Sequence, residues 1–202
     1  MNRRAFLFGL LWAPMVLGTE DRFLLIGDSL AYLLRRPMWL EAKARGLTFH
    51  GEGRGGTTLA QWLDKGWARQ AIQSFKPTVL LVQLGTNDRV PVNRQRFGER
   101  AKKLVALAHG KGVRVVWLFP PKMRLSTDWI IRGAQESGAD DLFDTQKLDL
   151  ALWEDGVHPT HKANAIWAKA IWNFLGLSDG SGPTLARLCI GVQLPAAPPT
   201  PP

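Results

Sequence analysis

Cysteine is almost missing from this 202-residue chain: Cys189 stands alone, so no disulfide can form within it and a disulfide-stapled scaffold is excluded. Histidine is sparse as well. His50, His109 and His161 do not lie at ligand spacing from another Cys, His, Asp or Glu, and no metal site is expected. Acidic residues fall short of basic ones, 17 against 26, and a formal charge of +9 is a first indication of nucleic-acid binding. Its placement argues otherwise. The stretch from Arg89 to Arg124 holds ten basic residues and one acid, Glu99, which leaves the rest of the chain balanced. The excess is local, and no nucleic-acid partner is expected. What the chain does have is nine Trp and nine Phe, ample material for a core and incompatible with a wholly disordered chain. At this length one domain is the expectation.

Both ends differ from the middle. Residues 1–18 carry Arg3 and Arg4 and then an apolar run from Ala5 to Gly18. Fourteen residues are fewer than the ~20 that span a bilayer. They suit a signal peptide, with Val16 and Gly18 small enough for a cleavage site, or an N-terminal anchor if uncleaved. Export to the periplasm or beyond is the expectation; the paired arginines leave the route open. Residues 177–202 hold six of the thirteen prolines and end in PAAPPTPP, a composition that favours extended polyproline structure. The patch from Thr184 to Leu194 is apolar enough to dock on the main domain. Residues 19–176 are left as the folded unit.

Within that unit, apolar runs alternate with helix-periodic stretches. Strands are expected at Phe23–Ile26, Thr48–His50, Val79–Leu84, Val113–Leu118 and Asp141–Phe143, several of them continuously apolar as in strands covered on both faces. A helix is expected from Thr58, with Gln61 closing a capping box and Pro77 as the stop. A second covers about 93–110, burying Phe97, Ala101, Leu104, Val105 and Ala108, with Arg96, Arg100 and Lys103 on a solvated stripe. A third covers 160–175, its apolar stripe made of Ala163, Ile166, Trp167, Ala170, Ile171, Phe174 and Leu175. The alternation predicts a three-layer α/β/α domain around a parallel sheet of about five strands. Ligands of such sheets bind at the carboxyl ends of the strands.

Four strand ends carry chemistry. Gly27-Asp28-Ser29-Leu30 follows the first strand and presents a hydroxyl, although a serine there is more often a helix cap. Gly53-Arg54-Gly55-Gly56-Thr57-Thr58 follows the second, a glycine-rich loop without the Lys-Ser/Thr ending of a phosphate loop. Gly85-Thr86-Asn87-Asp88 follows the third and offers a carboxamide. Asp155-Gly156-Val157-His158-Pro159 precedes the last helix, and Pro159 keeps His158 out of helical conformation. A serine becomes a useful nucleophile when an imidazole takes its proton and an aspartate fixes that imidazole's tautomer. An oxyanion needs preorganised donors, worth about 3–4 kcal/mol each in other enzymes. The amides of Ser29 and Gly56 and the side chain of Asn87 can supply three, and the set is that of acyl transfer.

On these blocks, GDSL, GRGGTT, GTND and DGVHPT, the chain resembles the SGNH (GDSL-type) hydrolases across residues 22–175. The resemblance implies a flavodoxin-like fold, Ser29 as nucleophile, His158 as base, Asp155 as its acid partner, an oxyanion hole from Ser29, Gly56 and Asn87, and no cofactor. Gly55 competes with Gly56 as donor. No long insertion builds a lid, which disfavours a deep acyl tunnel.

Asp28 and Asp88 are expected to brace their own loops. Trp39, Trp62, Trp67, Trp129 and Trp153 are expected in the core or between helices. The segment Pro120–Gly133 should edge the crevice, and Arg89, Lys122, Met123, Arg124 and Trp129 are candidates for a substrate rim favouring an anionic substrate or surface. The function expected is hydrolysis of short-chain esters, foremost O-acetyl groups on an envelope or extracellular polysaccharide. An O-acetyltransferase or a lysophospholipase-like esterase would use the same triad. A non-catalytic binder of an anionic polymer is the reading of another class, against which an intact catalytic set speaks.

Overall fold

The computed structural model describes residues 21–177, so the expectations for 1–18 and for the tail after Leu177 lie outside the described residues. Five strands form one parallel sheet: β1 (Arg22–Gly27), β2 (Thr48–Gly53), β3 (Val79–Gln83), β4 (Arg114–Leu118) and β5 (Asp141–Phe143), in the order β2-β1-β3-β4-β5. That is the flavodoxin-like order, whose crevice opens where the chain reverses direction between β1 and β3.

Among the described residues seven α-helices cover the sheet: α1 (Ser29–Ala44), α2 (Leu59–Asp64), α3 (Trp67–Phe75), α4 (Pro91–Gln95), α5 (Phe97–His109), α6 (Asp128–Gln135) and α7 (His161–Phe174). Strand side chains alternate between two cores. Leu24, Ile26, Leu80, Val82, Val115 and Trp117 face α2, α3, α5 and α6. Phe23, Leu25, Leu81, Val116 and Leu118 face α1 and α7. A sheet apolar on both faces has to be covered on both, and the layers follow.

Three helical expectations change. The helix capped by Thr58 does have its capping box, but it ends after Asp64, where Gly66 adopts a left-handed φ of 69°, and α3 starts afresh. The stretch expected as one helix over 93–110 is two, parted at Arg96; the buried set on α5 is as expected. On α7 the buried face is Ala163, Asn164, Trp167, Ala168, Ile171 and Trp172, while Ile166 and Phe174 are exposed. Apolar residues surround that helix, and the large indole of Trp172, donating to the Met38 carbonyl at 3.2 Å, sets its rotation against α1.

The tryptophans divide too. Trp62 is fully buried, whereas Trp39 and Trp153 are about half exposed, at 47% and 48%, contrary to the expectation that they pack inside.

Candidate active site

The turn from β1 into α1 is exceptionally tight. A Cβ on Gly27 would lie 2.0 Å from the Gln83 carbonyl oxygen, so only glycine lets β1 pass β3 and deliver Ser29 to the first turn of α1. Asp28 caps that helix, its Oδ1 accepting from the Leu30 amide at 3.0 Å. Its Oδ2 accepts from the Thr86 amide at 3.2 Å, in the loop after β3. Asp88, in the same loop, accepts from the Leu59 amide at the start of α2 at 3.0 Å. The two aspartates therefore brace neighbouring loops against one another, a wider role than bracing their own. Both are fully buried. Burial pushes the Asp28 carboxyl up to about 7, opposed by the Leu30 and Thr86 amides and assisted by nearby Asp88. Burial likewise raises Asp88, to about 6, against the Leu59 amide and the charge of Arg100.

On this braced floor Ser29 meets His158. Ser29 Oγ and His158 Nε2 are 2.9 Å apart, and His158 Nδ1 lies 2.6 Å from Asp155 Oδ2. The Asp155–His158 loop is held from within. Asp155 Oδ1 accepts from the amides of Val157 and His158 at 2.8 and 3.0 Å, and Trp153 donates its amide to the His158 carbonyl at 2.8 Å. The bonds from the His158 ring and from these two amides draw the Asp155 carboxyl down to about 2. A carboxylate so held stays ionised, fixes the imidazole with Nδ1–H toward itself, and leaves Nε2 to accept the serine proton.

Candidate donors for an oxyanion stand on the loops after β2 and β3. Asn87 Nδ2 donates to the Thr57 carbonyl at 3.1 Å, which orients the carboxamide and leaves its second N–H without a partner among the described residues. The glycine loop is a tight turn closed by the Thr57 amide on the Arg54 carbonyl at 3.3 Å, with Gly56 at φ 72°, and the Arg54 amide ties it to the Gly27 carbonyl at 2.9 Å. Among the described residues neither the Gly55 nor the Gly56 amide has a partner, so both glycines remain available as donors. The Ser29 amide, in the first turn of α1, is likewise an open helix N-terminal N–H.

The rim residues separate. Arg89, Met123 and Trp129 line one tight depression with Thr86, Leu125, Thr127 and Ile130. Arg89 turns its Nε to the Thr86 carbonyl at 3.0 Å. Arg124 runs along the acid-base loop: its amide donates to the Gly156 carbonyl at 3.2 Å, and a Cβ on Gly156 would meet its Cδ at 2.6 Å. Lys122 is exposed and is not part of the depression. Two contributors escaped notice in the sequence. The Thr57 carbonyl anchors Asn87, and Arg94 lies over the Trp129 ring at 4.3 Å. A main-chain oxygen leaves no sequence signal. No cluster of three His, Cys, Asp or Glu side chains that could hold a metal occurs among the described residues.

The parallel sheet in this order, with these loops at its carboxyl edge, defines the fold of the SGNH/GDSL hydrolases. The chain belongs to the family described as "Protein of unknown function (DUF459)", whose profile matches residues 22–128, a span that includes Ser29, Gly56 and Asn87 and stops before Asp155. No curated protein matches it. Among solved structures, a GDSL-like lipase from Bacteroides thetaiotaomicron is 17% identical with a TM-score of 0.61, covering 77% of this chain and 88% of its own. A lipase/acylhydrolase from Enterococcus faecalis is 18% identical with a TM-score of 0.62, covering 76% and 95%. Axe2-W215I, an acetyl xylan esterase from Geobacillus stearothermophilus, is 16% identical with a TM-score of 0.60, covering 79% and 96%. At such identities the likeness establishes the fold.

Proposed function

We propose that the protein is an exported serine esterase that removes short acyl groups, foremost O-acetyl groups, from an envelope or extracellular polysaccharide. The observation that carries this reading is the continuous hydrogen-bonded line from Ser29 Oγ through the His158 ring to Asp155. Ser29 attacks the ester carbonyl as Nε2 of His158 takes its proton, and the carbonyl oxygen becomes an oxyanion facing the Ser29 amide, Gly56 or Gly55, and Asn87 Nδ2. The tetrahedral intermediate collapses, His158 returns the proton to the departing sugar hydroxyl, and the acyl group stays on Ser29. Water, deprotonated by His158, then releases the carboxylic acid and restores the serine.

Preference for a short acyl group is supported by the lack, among the described residues, of a long insertion that could build a lid and an acyl tunnel over the crevice. The carbohydrate part is supported by the acetyl xylan esterase among the similar folds. Export rests on the composition of residues 1–18.

The test is a series of p-nitrophenyl esters from acetate to palmitate with wild type and Ser29→Ala, together with acetate release from acetylated polysaccharide. Turnover greatest on acetate and lost in Ser29→Ala is expected. Undiminished turnover in the variant would overturn the serine mechanism, and a maximum at long chains would overturn the acetyl preference.

A further inference from the structure

We propose that the outer face of α1 and the adjoining edge of β2 bind an acidic glycan chain and lead it to Ser29. The delivery step rests on the esterase reading; the binding itself does not. Ser29, Tyr32, Arg36, Trp39 and Lys43 fall at i, i+3, i+7, i+10 and i+14 of α1, one stripe that begins at the nucleophile. At 1.5 Å per residue it runs about 15 Å from Ser29 to Trp39, the scale of a short oligosaccharide. Tyr32 and Trp39 are 48% and 47% exposed, large aromatic surfaces that a core-building sequence would ordinarily bury.

The edge strand supplies the other wall. A Cβ on Gly51 would lie 2.7 Å from the Arg35 Cβ, and one on Gly53 would lie 2.2 Å from the Tyr32 backbone. These two glycines let α1 lie directly against β2, and the side chains above them overhang the strand. The result is an open groove of about 320 Å³ lined by Arg35, Arg36, Trp39, Phe49, His50 and Gly51. Gly53 continues from it straight into the Gly55–Gly56 loop beside Ser29.

Charge selects the occupant. Arg35 rests on the Tyr32 ring, its guanidinium carbon 4.0 Å from the centroid, and Lys43 lies 5.3 Å from the centroid of Trp39. The nearby acids are engaged elsewhere, Glu41 with Arg45 and Glu52 with Arg54 and His50. Neither Arg35 nor Arg36 has a carboxylate partner among the described residues. A guanidinium resting on an aromatic ring keeps N–H groups for a planar carboxylate, and exposed rings offer apolar faces on which sugars stack. A uronate-containing glycan has both features and carries its esters on hydroxyls. Nucleic acid carries no carboxylic ester, and two unpaired guanidinium groups are few beside the roughly six to ten phosphate contacts of duplex binders.

Titration calorimetry of the full chain with short oligogalacturonates, at fixed salt, is the test, with xylooligosaccharides and duplex DNA as comparison ligands. Wild type should bind the oligogalacturonates. The double variant Arg35→Glu/Arg36→Glu should weaken binding at least about tenfold, Trp39→Ala by a smaller factor, and Arg35→Lys/Arg36→Lys should retain part of it. All variants should hydrolyse p-nitrophenyl acetate within about twofold of wild type, because none touches the reacting atoms; that parity also shows them folded. Unchanged affinity in the double charge reversal, equal affinity for the neutral xylooligosaccharides, or preference for DNA would each overturn the proposal. Absence of p-nitrophenyl acetate turnover in wild type would count against the esterase reading alone, since the oligogalacturonate titration would still decide the groove.

Discussion

The two halves of the candidate site are held in opposite ways. Ser29 and Asn87 sit on loops braced from beneath by Asp28 and Asp88, carboxyls wholly out of solvent whose ionisation burial resists. Asp155 and His158 sit on a surface loop, the aspartate side chain 48% exposed, and their order comes from hydrogen bonds inside the loop. The contrast separates stability from chemistry. Damage to the exposed half should cost rate and leave the fold intact, whereas damage to the buried half should cost both.

The largest effect tests the exposed half. Asp155→Asn keeps the shape but offers Nδ1 the wrong partner, and kcat should fall about 10³–10⁴-fold. Its melting temperature should stay close to that of wild type, and a large drop would erase the contrast.

Next comes the buried half. Asp28→Ala strips partners from the Leu30 and Thr86 amides, which should cost about 1–3 kcal/mol by denaturant unfolding and lower kcat as the Ser29 and Asn87 loops come apart. Its pH dependence carries a sign. The folded-state value of Asp28, about 7, lies above the ordinary 3.8, so the folded chain holds the proton more tightly than the unfolded one. Its stabilising contribution is complete below about pH 4 and is lost as pH rises toward 7, with Asp88 adding in the same direction. Stability that rises over that window, or is as steep in Asp28→Asn as in wild type, would show that these carboxyls are not protonated in the fold.

The smallest effect concerns the rim. Arg89→Glu or Arg124→Glu should leave p-nitrophenyl acetate turnover nearly unchanged and raise KM for an anionic ester. Equal KM for charged and neutral esters would remove these arginines from recognition.

Much of this arrangement was legible in the sequence, and the exceptions share a cause. The inner strands β1, β3 and β4 were readable because buried parallel strands are written as unbroken apolar runs, Val79–Val82 being the clearest, whereas the edge strands β2 and β5 are short and mixed and were readable from their place between helical stretches. Ser29, Asn87, Asp155 and His158 were readable because each stands in a short block beside a strand end or helix start. The rotation of α7 was not, since Ile166 and Phe174 are as apolar as the residues that face α1, and only packing chooses between them. Nor was the cross-bracing by Asp28 and Asp88, whose partners Thr86 and Leu59 are distant in sequence and bond through main-chain amides. The groove beside α1 was hidden for a related reason: the second strand was expected to end at His50, with Gly53 in the loop after it, and only the helix lying on Gly51 and Gly53 shows what those glycines permit.

The most direct measurement is mass spectrometry of the full chain treated with a fluorophosphonate, which captures a serine only when a neighbouring base activates it. One adduct per chain is expected, mapping to the peptide that holds Ser29, retained at a slower rate in Asp155→Asn and absent in His158→Ala. No adduct in wild type, or one that forms equally fast without His158, would contradict it.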